Sequence, residues 1–277
     1  MRGSRFAHFA LLALMGAACD GSSMPTQSEP TRPRFITNGA PTGAEFGAVG
    51  ALFLDPGDGR LRPVCTGSLV APTVFLTAAH CLASLPPSAA LFVTFTPSVG
   101  FPPAPDPVIR ADDFFFHPGF RTQPALATAL NDLGVVLLPT SSTSGVSPLG
   151  LASAGRLDVL AANGGLQGED FLNVGYGVSA SSRGPSSLTA DGVRKASTSP
   201  FKVLTADWLG LLMNGNATGE GGVCLFDSGA PTLLADDPEV ILGVTSWVDP
   251  TCRAAGFSQR LDTPAAREFL GRFLSLP

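Results

Sequence analysis

The chain has 277 residues, of which 32 are glycine and 25 proline, a density of interrupting residues that argues against a helical bundle or a coiled coil. Hydrophobic residues make up 44% against 14% charged, enough apolar material for a core and the reverse of a disordered composition. The net charge of -5 gives no basic field for phosphate, so no nucleic acid partner is expected.

In chain order, Arg2 and Arg5 precede an uncharged apolar run from Phe9 to Ala18. That run is half of the about 20 residues needed to cross a bilayer. A charged start, a short apolar stretch and the small residues Gly16-Ala17-Ala18 have the shape of an export signal over residues 1–18. The segment also resembles a bacterial lipoprotein signal, in which the cysteine after a small residue, here Cys19, is lipid-modified and becomes the mature N-terminus. An ordinary signal cleaved near Cys19 is the other reading, so the expected location is the cell envelope as a lipoprotein, or the exterior.

Residues 19–35 are polar and proline-rich and read as a flexible tether or propeptide. From Ile36 the texture changes to short apolar runs at 48–53, 74–77, 90–95, 134–138 and 240–245, separated by turn residues, which predicts a β-sandwich or barrel. Asp55-Pro56-Gly57-Asp58-Gly59 lacks the later glutamate of a calcium loop and reads as a hairpin turn. Helical character is confined to about 264–275, where Thr263 can cap, Pro264 suits the first turn, and Phe269, Leu270, Phe273 and Leu274 recur at helical spacing. Setting aside Cys19 leaves four cysteines, 65, 81, 224 and 252, which in an exported chain read as two disulfides.

With His8 inside the export signal, His80 and His117 remain as candidate bases. His80 ends an apolar strand in Thr77-Ala78-Ala79-His80-Cys81, whereas His117 sits in a His117-Pro118-Gly119 turn expected to face solvent. Asn131-Asp132 places a carboxylate at the mouth of a buried strand, and Phe226-Asp227-Ser228-Gly229-Ala230-Pro231 puts a serine on a tight turn. Singly, each has a plain structural alternative: a core histidine, a turn cap, a loop. One usable histidine without a carboxylate cluster does not furnish a zinc site, so neither metal nor cofactor is expected. An α/β-hydrolase requires the chain order Ser, Asp, His and a glycine where Phe226 stands.

Together, in the order His, Asp, Ser, these segments resemble the chymotrypsin/trypsin-like serine proteases over nearly all of the chain from Ile36. Cys65-Thr66-Gly67-Ser68-Leu69-Val70, Gly175-Tyr176-Gly177 and Gly243-Val244-Thr245-Ser246-Trp247 add secondary matches in the same order. The resemblance implies an all-β domain over 36–277: two packed six-stranded antiparallel β-barrels, about 36–145 and 146–262, followed by the C-terminal helix. It implies a monomeric serine endopeptidase acting on protein or peptide substrates, with Ser228 as nucleophile, His80 as general base and Asp132 orienting it. Backbone N–H groups of Phe226 and Ser228 would form the oxyanion hole. The same resemblance pairs Cys65 with Cys81 and Cys224 with Cys252. It places a specificity pocket at Gly222, Ser246, Trp247, Val248 and Gly256, and an activation pair between a freed Ile36 amine and Asp227.

Three departures matter. Phe226 and Ala230 replace glycines of the serine motif, and a Cβ at 226 resists the backbone conformation that position needs. This keeps a second expectation in view, a catalytically weak or inactive protease-like binding module. Gly222 offers no carboxylate for Lys or Arg and Val248 narrows the entrance, which predicts a preference for small or medium apolar residues before the scissile bond. Phe35 separates Arg34 from Ile36, so a cut after arginine would leave one residue too many.

Overall fold

The computed structural model describes residues 39–277 except 101–102, 105, 124–127, 163 and 181–187. The readings of the export signal, Cys19, the tether and Ile36 fall outside the described residues.

The first half is a seven-stranded antiparallel sheet. Its strands are β1 (Val49–Asp55), β2 (Arg62–Ala71), β3 (Val74–Thr77), β4 (Ala90–Thr94), β5 (Ile109–Arg110), β6 (Asp113–Phe116) and β7 (Gly134–Leu137), in the spatial order β5-β4-β1-β2-β3-β7-β6. Val74-Phe75-Leu76-Thr77 is buried throughout, as a continuous apolar run between turns requires. β3 and β7 run antiparallel with Gly134 opposite Thr77 and Val135 opposite Leu76. That register brings the chain leaving Thr77 and the chain entering Gly134 to the same end of the sheet, where His80 and Asp132 lie.

The second half closes on itself. It comprises β8 (Asp170–Gly175), β9 (Lys195–Leu204), β10 (Trp208–Leu212), β11 (Pro231–Leu234), β12 (Asp237–Val248) and β13 (Ala255–Arg260). The ring runs β9-β8-β11-β12-β13-β10 and back to β9. Closure removes the free edges that an open sheet of this length would leave. Leu52, Phe75, Val135, Val174, Leu233 and Ile241 are among the buried residues of one continuous apolar cluster drawn from both sheets. The mostly β architecture with a C-terminal helix is the expected one; of the two six-stranded barrels expected, the second closes with six strands, whereas the first is a seven-stranded half-barrel. No helix among the described residues is long and apolar enough to cross a membrane.

Among the described residues, three short α-helices complete the fold: α1 (Arg156–Ala162), α2 (Gly215–Thr218) and α3 (Pro264–Leu270). Thr263 Oγ1 accepts the Ala266 N–H at 3.3 Å, the expected cap. α3 stops at Leu270, short of residue 275, because after Gly271 the Arg272 and Phe273 N–H groups turn to carbonyls three residues back and tighten the chain into turns. Phe269 and Leu270 are nonetheless buried in the main core.

Candidate active site

Asn131 adopts a left-handed backbone, φ 53°, and its side chain donates to the Gly119 carbonyl at 3.1 Å. This turn aims Asp132 inward, where it is fully buried. His80 sits on a 3-10 turn, Ala79–Cys81, directly after β3. Asp132 grips it at two points: Oδ1 accepts the His80 backbone N–H at 2.8 Å and Oδ2 faces Nδ1 at 2.7 Å. With Nδ1–H donating to the carboxylate, Nε2 is left as the basic nitrogen of a side chain that is one-third exposed. Ser246 Oγ donates to the same Oδ2, and the Gln259 amide oxygen accepts the Asp132 N–H at 3.2 Å.

The serine turn packs against this corner. The Thr66 N–H donates to the Ser228 carbonyl at 2.9 Å. A Cβ on Gly229, φ 86°, would stand 2.1 Å from Thr77 Oγ1 and 3.0 Å from the Ala78 nitrogen. Only glycine allows the turn to lie this close to the strand that delivers His80. Ser228 is half-buried there. Among the described residues no hydrogen bond joins Ser228 Oγ to His80.

Phe226 holds the backbone that its missing glycine would have supplied freely, φ 74°, with its side chain 40% exposed. The Leu225 carbonyl accepts from the Val178 N–H at 2.8 Å and the Phe226 carbonyl accepts from Thr66 Oγ1 at 3.0 Å. Because the peptide is trans, fixing the Leu225 carbonyl fixes the Phe226 N–H on the opposite side. The Asp227 N–H is spent on the Cys224 carbonyl, whereas among the described residues the Phe226 and Ser228 N–H groups find no protein acceptor. Two donors without a protein acceptor thus flank the Asp227 N–H in the serine turn.

Asp227 lies fully buried beneath the turn, accepting from Gly177 N at 2.7 Å and Cys224 N at 2.9 Å. Cβ atoms on Gly175 or Gly177 would stand 2.1 and 2.2 Å from its carboxylate oxygens, which explains both glycines around Tyr176. Burial pushes the Asp227 carboxyl up to about 7, against the two amide hydrogen bonds and the Lys195 charge. Lys195 is itself buried and is pulled below its ordinary value by desolvation, opposed by Asp191 at 2.5 Å.

Cys65 is bonded to Cys81 and Cys224 to Cys252. Cys65, His80 and Cys81 lie together, but with the two sulfurs joined only the imidazole remains as a donor, so the cluster is not built for a metal.

At the proposed specificity pocket, Ser246 turns to Asp132, while Trp247 stacks on Phe257 with centroids 3.9 Å apart. Gly222 and Gly256 face one another across Met213, whose sulfur would meet a Cβ on either, at 2.4 and 3.0 Å. Sequence reasoning missed Met213, an unremarkable apolar residue after a strand. It also missed Arg194, and it placed His117 in solvent. His117 instead accepts the Gly119 N–H on Nδ1 at 2.9 Å, donates from Nε2 to the Ala265 carbonyl at 3.3 Å and packs on Phe269. It fastens α3 to the first sheet, and desolvation lowers its pKa.

A closed antiparallel barrel beside a second barrel-type sheet, with a C-terminal helix, is the chymotrypsin fold, and the site lies where its two halves meet. The Trypsin family profile matches residues 50–266, and the chain belongs to that family. Among solved structures, an HL collagenase superimposes with a TM-score of 0.59 at 20% identity, covering 84% of this chain and 95% of its own. Human heparin binding protein does so with a TM-score of 0.58 at 16% identity, covering 86% and 98%. No curated protein sequence matches.

Proposed function

We propose that the protein is a serine endopeptidase. The observation that carries this reading is the two-point seating of His80 on a buried Asp132, beside a serine turn with two uncommitted N–H donors. Ser228 Oγ attacks the peptide carbonyl while His80 Nε2 takes its proton and later returns it to the leaving amine. Asp132 holds the imidazole's tautomer and stabilises its charged form. The developing oxyanion receives the Phe226 and Ser228 N–H groups, each such donor being worth about 3 kcal/mol in enzymes of this kind. Residues before the scissile bond are small or medium and apolar, a preference supported by Val248 in the sequence and by Met213, whose sulfur lies close to both Gly222 and Gly256.

Full activity follows release of Ile36, whose amine pairs with buried Asp227. The two disulfides are compatible with an extracellular setting, and the sequence supports export with lipid on Cys19. A second reading, an inactive binding module, is favoured by the absence of a His80–Ser228 hydrogen bond among the described residues and by the strained Phe226. A collagenase and a heparin binding protein share the fold, so fold alone does not choose. Labelling by a fluorophosphonate probe before and after proteolysis near Arg34 separates the two. Labelling that disappears in Ser228→Ala supports the enzyme; none in either form overturns it.

A further inference from the structure

Thr66, next to Cys65 in β2, is fully buried between the serine turn and the strand that delivers His80. Its Oγ1 donates to the Phe226 carbonyl at 3.0 Å and accepts the Tyr176 N–H at 3.2 Å. A carbonyl only accepts and an amide N–H only donates, so the hydroxyl proton is committed to Phe226. The Thr66 N–H donates to the Ser228 carbonyl at 2.9 Å, and the Thr66 carbonyl accepts from Thr77 Oγ1 at 2.8 Å, three residues before His80. One residue of β2 thus reaches the serine turn through both its backbone and its side chain, and the histidine strand through its carbonyl.

The hydroxyl matters because of what stands at 226. A residue with a Cβ leaves the left-handed region unless its surroundings over-determine it. At Phe226, φ 74°, the peptides on both sides are held: the Leu225 carbonyl by the Val178 N–H at 2.8 Å, the Phe226 carbonyl by Thr66 Oγ1, and the Asp227 N–H by the Cys224 carbonyl at 3.1 Å. Thr66 supplies the one side-chain contact among these, and without it only backbone bonds oppose relaxation of φ. A relaxed φ turns the Phe226 N–H relative to that of Ser228. We propose that Thr66 is a positioning residue for the oxyanion donors: its hydroxyl clamps the Phe226 carbonyl and so keeps the Phe226 and Ser228 N–H groups converging where the oxyanion forms. The assignment rests on the endopeptidase reading. It has a consequence that a merely structural threonine would lack: glycine at 226 adopts the same backbone freely, and there the clamp is dispensable.

The test uses the full chain after processing near Arg34 and an internally quenched peptide with alanine before the scissile bond. Active sites are counted by fluorophosphonate labelling carried to its end point, and rates are expressed per labelled site. Thr66→Val keeps the branched shape without the hydroxyl, Thr66→Ala also leaves room for a water at the Tyr176 N–H, and Thr66→Ser keeps the hydroxyl; each is made in the native chain and in Phe226→Gly. In the native chain Thr66→Val and Thr66→Ala should lower kcat about tenfold or more with KM nearly unchanged, as loss of a transition-state donor does, and Thr66→Ser should restore most of it. In Phe226→Gly the same two changes should lower kcat by less than about threefold. Thr66→Ala decides where Thr66→Val does not fold. An equal fall in both backgrounds, a fall confined to KM, no fall in the native chain, or a Thr66→Ser variant as slow as Thr66→Ala overturns the positioning role while leaving the protease. Absence of labelling in the native chain overturns the endopeptidase reading and this assignment with it.

Discussion

The sulfur of Met213 lies 2.4 Å from the point where a Cβ on Gly222 would stand. In the proposed specificity pocket, the thioether of Met213 occupies the depth that Gly222 would otherwise leave. Met213 is almost completely buried, and the flexible, polarisable side chain suits an irregular gap. Met213→Ala should therefore deepen the pocket. We expect kcat/KM for peptides with leucine or phenylalanine before the scissile bond to rise about tenfold relative to alanine, measured as a ratio within each preparation. The same change should cost about 2 to 4 kcal/mol of stability by urea denaturation, as truncation of a buried methionine does. An unchanged ratio would detach Met213 from specificity.

Phe226 carries a different kind of cost. A Cβ-bearing residue in the left-handed region is strained by about 1 to 2 kcal/mol, and the ring is too exposed to recover much by burial. Phe226→Gly should raise the melting temperature by a few degrees. Phe226→Ala keeps the Cβ and should not. If both variants melt alike, the backbone at 226 is not under strain.

These two positions lie on either side of what the sequence made legible: Phe226 stood out in its motif, and Met213 did not. His80, Asp132 and Ser228 could be located because each sits in a short local pattern whose chemistry is visible in its neighbours. The glycines at 175, 177 and 229 were legible as motifs, although the reasons for them are tertiary: the Asp227 carboxylate and the Thr77 hydroxyl occupy the space a Cβ would need. Met213, the Ser246–Asp132 hydrogen bond and the docking of His117 under α3 depend on which segments meet across the fold. A single chain's periodicity does not encode those meetings. The end of α3 differs from the expectation for a local reason: Phe273 and Leu274 continue the apolar pattern although the Arg272 and Phe273 N–H groups reach only three residues back.

Arg194 is the largest feature the sequence concealed. It is 1% exposed, yet among the described residues no carboxylate is a hydrogen-bond partner of its guanidinium. It donates instead to Thr42 Oγ1, the Tyr176 hydroxyl and the carbonyls of Gly43, Glu45, Val49 and Phe95, at 2.8 to 3.3 Å. It thus fastens the 42–45 segment, β1 and the loop after β4 to the start of β9. Arg194→Met leaves several buried carbonyls without donors, each costing about 1 to 3 kcal/mol, so a loss of about 4 kcal/mol or more is expected by urea denaturation. Arg194→Lys should recover little, since one ammonium cannot span a planar five-donor fork. A loss under about 1 kcal/mol would show that water replaces the guanidinium.

The activation pair proposed for Asp227 would tie stability to pH. Burial raises its carboxyl from the ordinary value of 3.8 to about 7, so the folded chain holds this proton more tightly than the unfolded chain does. The sign follows: its contribution to stability is complete below about pH 4 and is lost as the pH rises through 7, by a few kcal/mol in order of magnitude. In the proposed activated form the Ile36 ammonium holds the carboxylate ionised, and that loss should vanish. Urea denaturation at pH 5 and pH 8 of the chain before and after cleavage gives the comparison. The stability gained on cleavage should be larger at pH 8 than at pH 5, and Asp227→Asn, which neither titrates nor pairs with an amine, should show no such pH dependence in the gain. A gain equal at both pH values in the native sequence would mean that Ile36 does not reach Asp227, and the proposed switch would fall.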